Sequence, residues 1–170
     1  MPDDTLEKNK HIVRRMLEAF NTGDTAIVAE LIDRNIRDHG RKLGLELEMR
    51  RADPIRRLRT EILRQEDVFP DRQFKEVVLV AEGDTVVLVW SMTGTNLGSI
   101  LGHPPTGKRV ETQGIEIVRI KNGKIIEHRD DGAHVFDILF QLDLLDADLV
   151  GKLKTGDPAL AAGHRTAPVR

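Results

Sequence analysis

The residues best suited to chemistry are an imidazole and two carboxylates that stand close together in the segment His128-Arg129-Asp130-Asp131. They follow an apolar stretch with the pattern of a strand. If that strand continues, His128 and Asp130 share one face and Arg129 and Asp131 share the other. Such side chains transfer protons when they face a pocket. We therefore predict acid/base chemistry with Asp130 or Asp131 as the proton-transfer group. The alternative is a polar strand end in which one aspartate caps the next helix.

An Asn-Gly turn pairs this strand with a longer one. Asn122-Gly123 separates a segment from Lys108 to Lys121 from one that runs from Lys124 to Asp130, and both segments are rich in β-branched residues. Both turn residues tolerate the positive φ angles of a type I′ turn. The pattern therefore predicts an antiparallel hairpin.

Helical spacing of apolar residues predicts several helices around the strands. The first runs from Leu6 to Phe20, and a third begins with Asp53 as N-cap and Pro54 at its first position and ends near Gln65. Between them a short second helix is marked by Ile27, Val28, Leu31 and Ile32. A terminal helix is predicted from Val135, Ile138, Leu139 and Leu142, and the same pattern continues through Leu145 and Leu149.

Two further strands are predicted from Gln73 to Ala81 and from Thr85 to Gly94, and the segment from Asn35 to Gly40 predicts a short strand or bend. Asp38 and His39 would point to opposite faces of that strand, so one of them could look inward. The runs 77–80 and 86–90 are apolar on both faces. This predicts a sheet covered by helices on one side and by a partner or a pocket on the other.

Composition limits the classes of function. The chain has 170 residues, a net charge of −2 and no cysteine. One domain over residues 1–153 is expected, with 154–170 as a disordered or partner-contacting tail. The missing thiols exclude cysteine catalysis and disulfides. The net charge gives no reason to expect nucleic acid, and the absence of a long apolar run predicts a soluble, cytoplasmic protein without a membrane partner.

Metal binding is not predicted, because the His, Asp and Glu residues form no His-x-His or Glu-x-x-His ligand set. A basic segment is open to two interpretations: a rim for an anionic ligand, or a solvated helix face. Its members are Arg41, Lys42, Arg50, Arg51, Arg56, Arg57, Arg59 and Arg64.

An ordered series of short motifs resembles the SnoaL-like polyketide cyclases and ester cyclases of the nuclear transport factor 2-like superfamily. No single motif is specific, and the order carries the resemblance over roughly residues 6–145. The motifs are Asn9-Lys10, Phe20-Asn21-Thr22-Gly23-Asp24, Asp38-His39, Phe69-Pro70-Asp71, Glu82-Gly83-Asp84-Thr85-Val86, Gly94-Thr95, Gly102-His103-Pro104-Pro105-Thr106-Gly107-Lys108, Gly114-Ile115-Glu116-Ile117, Asn122-Gly123-Lys124-Ile125-Ile126-Glu127-His128 and Gln141-Leu142.

The resemblance implies the overall fold. The expected architecture is a cone-shaped α+β barrel, in which N-terminal helices pack on a curved, mostly antiparallel sheet and a C-terminal helix follows. It further implies a pocket inside the cone, no metal and no cofactor. Characterised cyclases of this family close a ring by intramolecular aldol condensation, with an aspartate after the Glu-His strand as general acid/base.

That family aspartate falls on Ala133 here, or on His134 if the extra residue before Gln141 shifts the register. His134 is therefore a third catalytic candidate beside Asp130 and Asp131, since an imidazole pKa near ~6.5 suits proton transfer at neutral pH. The resemblance also places His39 at the pocket mouth and makes His128 a candidate ligand contact. Trp90 is either a wall of the cavity or ordinary core.

The leading hypothesis is a cyclase, isomerase or lyase-like enzyme that uses no cofactor and acts on a hydrophobic, polyketide-like carbonyl compound. The substrate-binding candidates are His39, Trp90 and His128. Two alternatives remain: a non-catalytic small-molecule binding domain, and an assembly module whose exposed sheet face forms a homodimer or a higher homo-oligomer.

Overall fold

A computed structural model of the protein describes residues 2–39 and 53–145. Its elements, in chain order, are α1 (Pro2–Thr22), α2 (Val28–Leu31), β1 (Ile32–Asp38), α3 (Pro54–Val68), β2 (Gln73–Glu82), β3 (Thr85–Thr95), β4 (Arg109–Lys121), β5 (Lys124–Asp130) and α4 (Ala133–Gln141). The predictions that concern residues 41–52, the part of the predicted last helix from residue 146 to Leu149 and the tail 154–170 lie outside the described residues.

The five strands form one curved sheet in the order β1-β5-β4-β3-β2. Strands β2 to β5 pair antiparallel, and β1 lies parallel to β5 at one edge. The predicted α+β class, with N-terminal helices, a mostly antiparallel curved sheet and a C-terminal helix, is confirmed. The sheet is not closed, because β1 and β2 remain as its two edges.

Local signals account for several element boundaries. The Asp53 carboxylate accepts hydrogen bonds from the backbone N–H groups of Ile55 at 3.0 Å and Arg56 at 3.3 Å, as an N-cap does. Asn122 and Gly123 have φ angles of +51° and +75°, which confirms the predicted tight turn between β4 and β5.

Several predicted boundaries differ from the structure. The last helix ends at Gln141, before Leu142 and Leu145, and the chain leaves helical geometry at Asp143, which has a φ of +58°. The first helix is longer than predicted and runs from Pro2 to Thr22. The third continues to Val68, one turn beyond Gln65, because Val68 and the following Phe69 are buried in the core. Ile32, assigned from its spacing to the second helix, instead begins β1, where it is also buried.

The core lies between the helices and one face of the sheet. Along β3 burial alternates strictly, with Val86, Leu88, Trp90 and Met92 buried on the helix-covered face. The residues between them face the other side, where Val80 of β2 remains exposed. The prediction of a sheet with one face covered by helices is therefore confirmed, and no described element covers the second apolar face.

The last residue of α4 holds this helix against β4 beyond the end of β5. β5 pairs with β4 only as far as Asp130, which lies opposite Glu116. Beyond that point the Gln141 side chain bonds the backbone of Glu111 on β4 twice, donating to its carbonyl oxygen at 2.7 Å and accepting from its N–H at 2.9 Å. These bonds hold α4 against the part of β4 that β5 leaves unpaired.

Among residues 2–39 and 53–145, no helix combines the length and apolar character needed to span a membrane.

Candidate active site

A cavity of about 320 Å³ lies between the inner face of the sheet and the helices. Aromatic rings form a continuous part of its wall. The ring centres of Phe20 and Phe74 are 5.7 Å apart, those of Phe74 and Trp90 are 5.4 Å apart, and those of Trp90 and His134 are 5.0 Å apart. Most other lining residues are aliphatic. The cavity is therefore shaped for an apolar ligand.

His128 is the centre of a polar group at one end of this cavity. Its Nδ1 lies 3.0 Å from Oδ1 of Asp38, and its Nε2 is hydrogen-bonded to Oε2 of Glu116. The strand order explains this meeting, since β5 lies between β1 and β4 and Asp38 stands directly opposite His128. Three residues distant in sequence thus form one hydrogen-bonded set.

Two further donors extend this set at its ends. Arg57 Nη2 on α3 donates to Oδ2 of Asp38 at 2.6 Å, and Trp90 Nε1 on β3 donates to Oε1 of Glu116 at 3.3 Å. We call Arg57, Asp38, His128, Glu116 and Trp90 the five-residue network. All five line the cavity.

The network holds His128 as a cation. Burial by itself disfavours the charged imidazole, but the hydrogen bonds from Asp38 and Glu116 and their negative charges outweigh burial and raise the pKa of His128 from 6.5 to about 10. At neutral pH both ring nitrogens therefore carry protons and donate them to carboxylates. His128 in this state cannot accept a proton, so it fits an electrostatic role rather than that of a base.

The two candidate aspartates lie in different environments. Asp130 faces the cavity from the end of β5, on the same face as His128 and opposite Glu116 in the strand register. Asp131 is exposed and is not among the described residues that line the cavity. Its carboxylate accepts a hydrogen bond from the backbone N–H of Ala133 at 3.1 Å. The strand ends at Asp130 and the chain turns through Gly132, at a φ of +62°, which directs Asp131 outward.

His134 and Trp90 both line the cavity, and their rings meet edge to face. His134 Nδ1 lies 3.8 Å from Oδ1 of Asp131, so the imidazole stands between the cavity wall and that exposed carboxylate. Of the two positions that the resemblance offers for the family aspartate, Ala133 and His134, the second thus carries an imidazole in contact with the indole.

His39 lies outside the described cavity lining, although the resemblance places it at a pocket mouth. Its Nε2 is 3.1 Å from Oε1 of Glu127, which precedes His128 on β5 and therefore points to the opposite face of the sheet. Of the adjacent pair at the end of β1, Asp38, the last residue of the strand, looks inward. Strand alternation predicted that one of them does, but not which.

Three residues of the network were absent from the candidates chosen on the sequence: Arg57, Asp38 and Glu116. Asp38 and Glu116 each lie in a motif of the family resemblance, and Arg57 lies in the basic segment. Among the described residues, no group of three or more His, Asp or Glu side chains is arranged to hold a metal ion.

A helix-covered curved sheet with an apolar cavity and ionised groups at one end defines a small α+β domain whose interior has room for a small molecule. Residues 10–137 match the sequence profile described as SnoaL-like polyketide cyclase. The chain therefore belongs to the SnoaL-like polyketide cyclase family, as the resemblance predicted.

Individual relatives agree with this assignment. The chain is 32% identical over 119 residues to the aklanonic acid methyl ester cyclase DnrD of Streptomyces peucetius, covering 70% of this chain and 80% of that one. It is 30% identical over 120 residues to a nogalonic acid methyl ester cyclase of Streptomyces nogalater, covering 68% and 83%. The solved structure of TsrD from Streptomyces laurentii is similar with a TM-score of 0.69 and 25% identity, over 82% of this chain and 97% of that one.

Proposed function

We propose that this protein is a cyclase that needs no cofactor and closes a ring in a polyketide-like carbonyl compound by acid/base chemistry. The observation that carries the proposal is Asp130, a carboxylate that faces an apolar cavity beside the five-residue network. Proton abstraction next to a carbonyl requires a base in a site that excludes water, and an apolar cavity supplies that environment. The two cyclases named above support the choice of reaction.

The proposed reaction is an intramolecular aldol step. The Asp130 carboxylate removes a proton from a carbon next to a carbonyl, and the electron pair of that C–H bond enters an enolate. The enolate carbon attacks a second carbonyl carbon, so a C–C bond forms while the π bond of that carbonyl breaks. Its oxygen then takes the proton from Asp130 and becomes a hydroxyl. No electron acceptor is required, because no group is oxidised or reduced overall.

The other residues receive supporting roles in this proposal. His128 is the fixed cation of the site, since both of its nitrogens are engaged by Asp38 and Glu116. Trp90 and His134 form an aromatic surface for a planar substrate. His39 acts only at the periphery, because it is paired with Glu127 on the outer face.

We also propose that two copies associate through the outer face of the sheet. Four large apolar side chains are exposed there in neighbouring register: Val78, Val80, Ile115 and Ile117. Val89 joins Val78 to Ile115, and Val87 joins Val80 to Ile117, so they form one surface that we call the outer apolar patch. A contiguous exposed apolar surface of this kind is typical of a protein interface.

The function is tested by a matched pair of substitutions at neighbouring positions, Asp130→Asn and Asp131→Asn. Purified protein is incubated with aklanonic acid methyl ester or nogalonic acid methyl ester, and ring closure is followed by liquid chromatography with mass spectrometry. We expect turnover by the parent chain, with and without a chelator, a loss of at least about 100-fold for Asp130→Asn, and near-parent turnover for Asp131→Asn.

Circular dichroism of both variants checks that each is folded. Parent-level turnover by Asp130→Asn would refute the assignment of the base. Ligand binding without any turnover by the parent chain would instead favour the non-catalytic binding domain.

A further inference from the structure

Arg57 differs from the neighbouring arginines of α3. Its side chain is 13% exposed, lines the cavity and donates from Nη2 to Asp38 at 2.6 Å. Arg56, one residue earlier, is exposed, and Arg59 donates from Nε to the backbone oxygen of Thr25 at 2.9 Å. Of these three, only Arg57 lines the cavity. Arg64, further along α3, also lines it and donates from Nη2 to Oε1 of Glu61 at 3.3 Å, so Arg57 is the arginine that reaches the carboxylate of Asp38.

The sheet supplies few hydrogen-bond donors to a ligand at the polar end of the cavity. Both nitrogens of His128 are engaged by carboxylates, and the indole N–H of Trp90 donates to Glu116. Asp38, Glu116 and Asp130 bring carboxylates to the same end. A developing negative charge on a ligand oxygen would therefore meet acceptors rather than donors at the sheet surface.

Arg57 has N–H donors that its ion pair with Asp38 does not use. A guanidinium carries five N–H groups, and within the described residues the bond to Asp38, made by Nη2, is the one that its side chain forms. Neither Nε nor Nη1 is among the buried polar atoms that lack a partner in the described structure, so these N–H groups are not fully enclosed by protein. The ion pair with Asp38 fixes the plane of the guanidinium while these groups remain available.

We propose that Arg57 is a catalytic residue that binds the carbonyl oxygen of the substrate as it becomes an enolate oxygen. This inference rests on the proposed function and deepens it. When Asp130 takes the proton, one negative charge moves from its carboxylate to the substrate oxygen, and a cation must stand at that oxygen to stabilise it. A guanidinium suits this role, because it stays charged at all relevant pH values and presents two parallel N–H groups.

The proposal also describes the ligand class. The site would favour a planar, apolar carbonyl compound whose enolate or phenolate oxygen lies at its edge, with the ring on the aromatic wall and the oxygen toward α3. A neutral hydrocarbon of the same shape would pack against the aromatic wall without forming a hydrogen bond to Arg57. This difference separates a ligand-binding role of Arg57 from simple neutralisation of Asp38.

The test uses 1-naphthol as the enolate mimic and naphthalene as its neutral counterpart, each bound to the full chain. All variants are made in the Asp130→Asn protein, in which the amide stands in for the protonated aspartate present after proton abstraction. Absorbance titration gives the pKa of bound 1-naphthol, and the fluorescence of Trp90, the chain's single tryptophan, gives the naphthalene Kd. Arg57→Met and Arg57→Lys are compared with the exposed control Arg56→Gln.

We expect Arg57→Met to raise the pKa of bound 1-naphthol by at least about one unit, a tenfold change in its ionisation constant, and Arg57→Lys to raise it less. Naphthalene affinity should stay within about twofold in both, and Arg56→Gln should change neither quantity. An unchanged naphthol pKa in Arg57→Met, or equal loss of both ligands in both Arg57 variants, would overturn the proposal.

With Asp130 restored, Arg57→Met should lower kcat for the aklanonic ester about 100-fold with little change in KM. A parent chain that shows no turnover, together with the expected naphthol result, would reject the cyclase function and leave the oxyanion site of Arg57 standing.

Discussion

At the scale of single residues, the charge of His128 and the stability of the fold depend on each other. Asp38 and Glu116 raise the pKa of this imidazole to about 10 against the cost of its burial, whereas an unfolded chain leaves it near 6.5. A group whose pKa is higher in the folded state stabilises the fold fully below its unfolded pKa. That contribution is lost as pH rises from about 6.5 through about 10.

We therefore predict a pH-dependent difference between the parent chain and His128→Gln. The parent should lose a few kcal/mol of unfolding free energy between pH 6.5 and 10 that the variant does not lose. Urea unfolding of both proteins at pH 6, 8 and 10 measures the difference. The chain has no tyrosine, and lysine titration is common to both proteins, so the comparison isolates His128. Parallel stability curves would show that His128 is not held as a cation.

At the scale of elements, β3 and β4 position the indole that borders both the cavity and the network. Trp90 lies over Gly114 of the neighbouring strand, which is its register partner. A Cβ atom on Gly114 would come within 2.3 Å of Cζ2 of Trp90, closer than any real contact. Glycine is needed here because the ring occupies the space of a side chain, and the indole N–H then reaches Glu116.

Gly114→Ala should therefore displace Trp90 and destabilise the protein by about 1–3 kcal/mol, the usual cost of overpacking. The fluorescence of Trp90 should change with it, and ligand affinity should fall. Gln113→Ala is the matched control, since Gln113 is exposed on the opposite face of the same strand. Thermal unfolding followed by fluorescence checks both variants. Equal stability of Gly114→Ala and the parent would mean that the indole does not depend on the missing side chain.

At the scale of the whole molecule, the two faces of the sheet have different surroundings. The helices pack on one face and enclose the cavity with it, and the other face carries the outer apolar patch. Val80 is 53% exposed in the single chain, although it stands in the middle of an apolar surface. Burial of such side chains against a second copy would contribute roughly 25 cal/mol for each Å² of apolar area removed from water. The open face would thus gain free energy from association with a second copy.

Val80→Glu should convert the proposed homodimer into monomers while the fold is kept, because a charge buried without a partner disfavours the interface far more than the free chain. Leu97→Glu is the control, since Leu97 is 55% exposed in the loop between β3 and β4, away from the patch. Light scattering after size exclusion gives the mass of each protein. A parent chain that is already monomeric, or a Val80→Glu protein with unchanged dimer mass, would contradict the proposed interface.

The sequence by itself determined the features that depend on neighbours along the chain. The cap at Asp53 and the turn at Asn122-Gly123 follow from local geometry and spacing, and both were predicted. The strict alternation of burial along β3 was not predicted, because the run 86–90 is apolar on both faces. The end of α3 was not predicted, because Val68 extends this helix through burial in the core rather than through helix preference. The ordered motifs identified the family, although none of them alone was specific.

Only the tertiary structure decided which side chains meet in the cavity. Asp38, Glu116 and Arg57 join His128 because β5 lies between β1 and β4 and because α3 faces their inner side. In the sequence, His128 is 90 residues from Asp38 and 12 residues from Glu116, and Arg57 is 19 residues from Asp38. Periodicity shows which face a residue occupies, but strand order and helix placement determine its neighbours. The sequence therefore predicted that ionisable groups stand at the end of β5, but it could not predict their partners. Those partners were revealed by the fold.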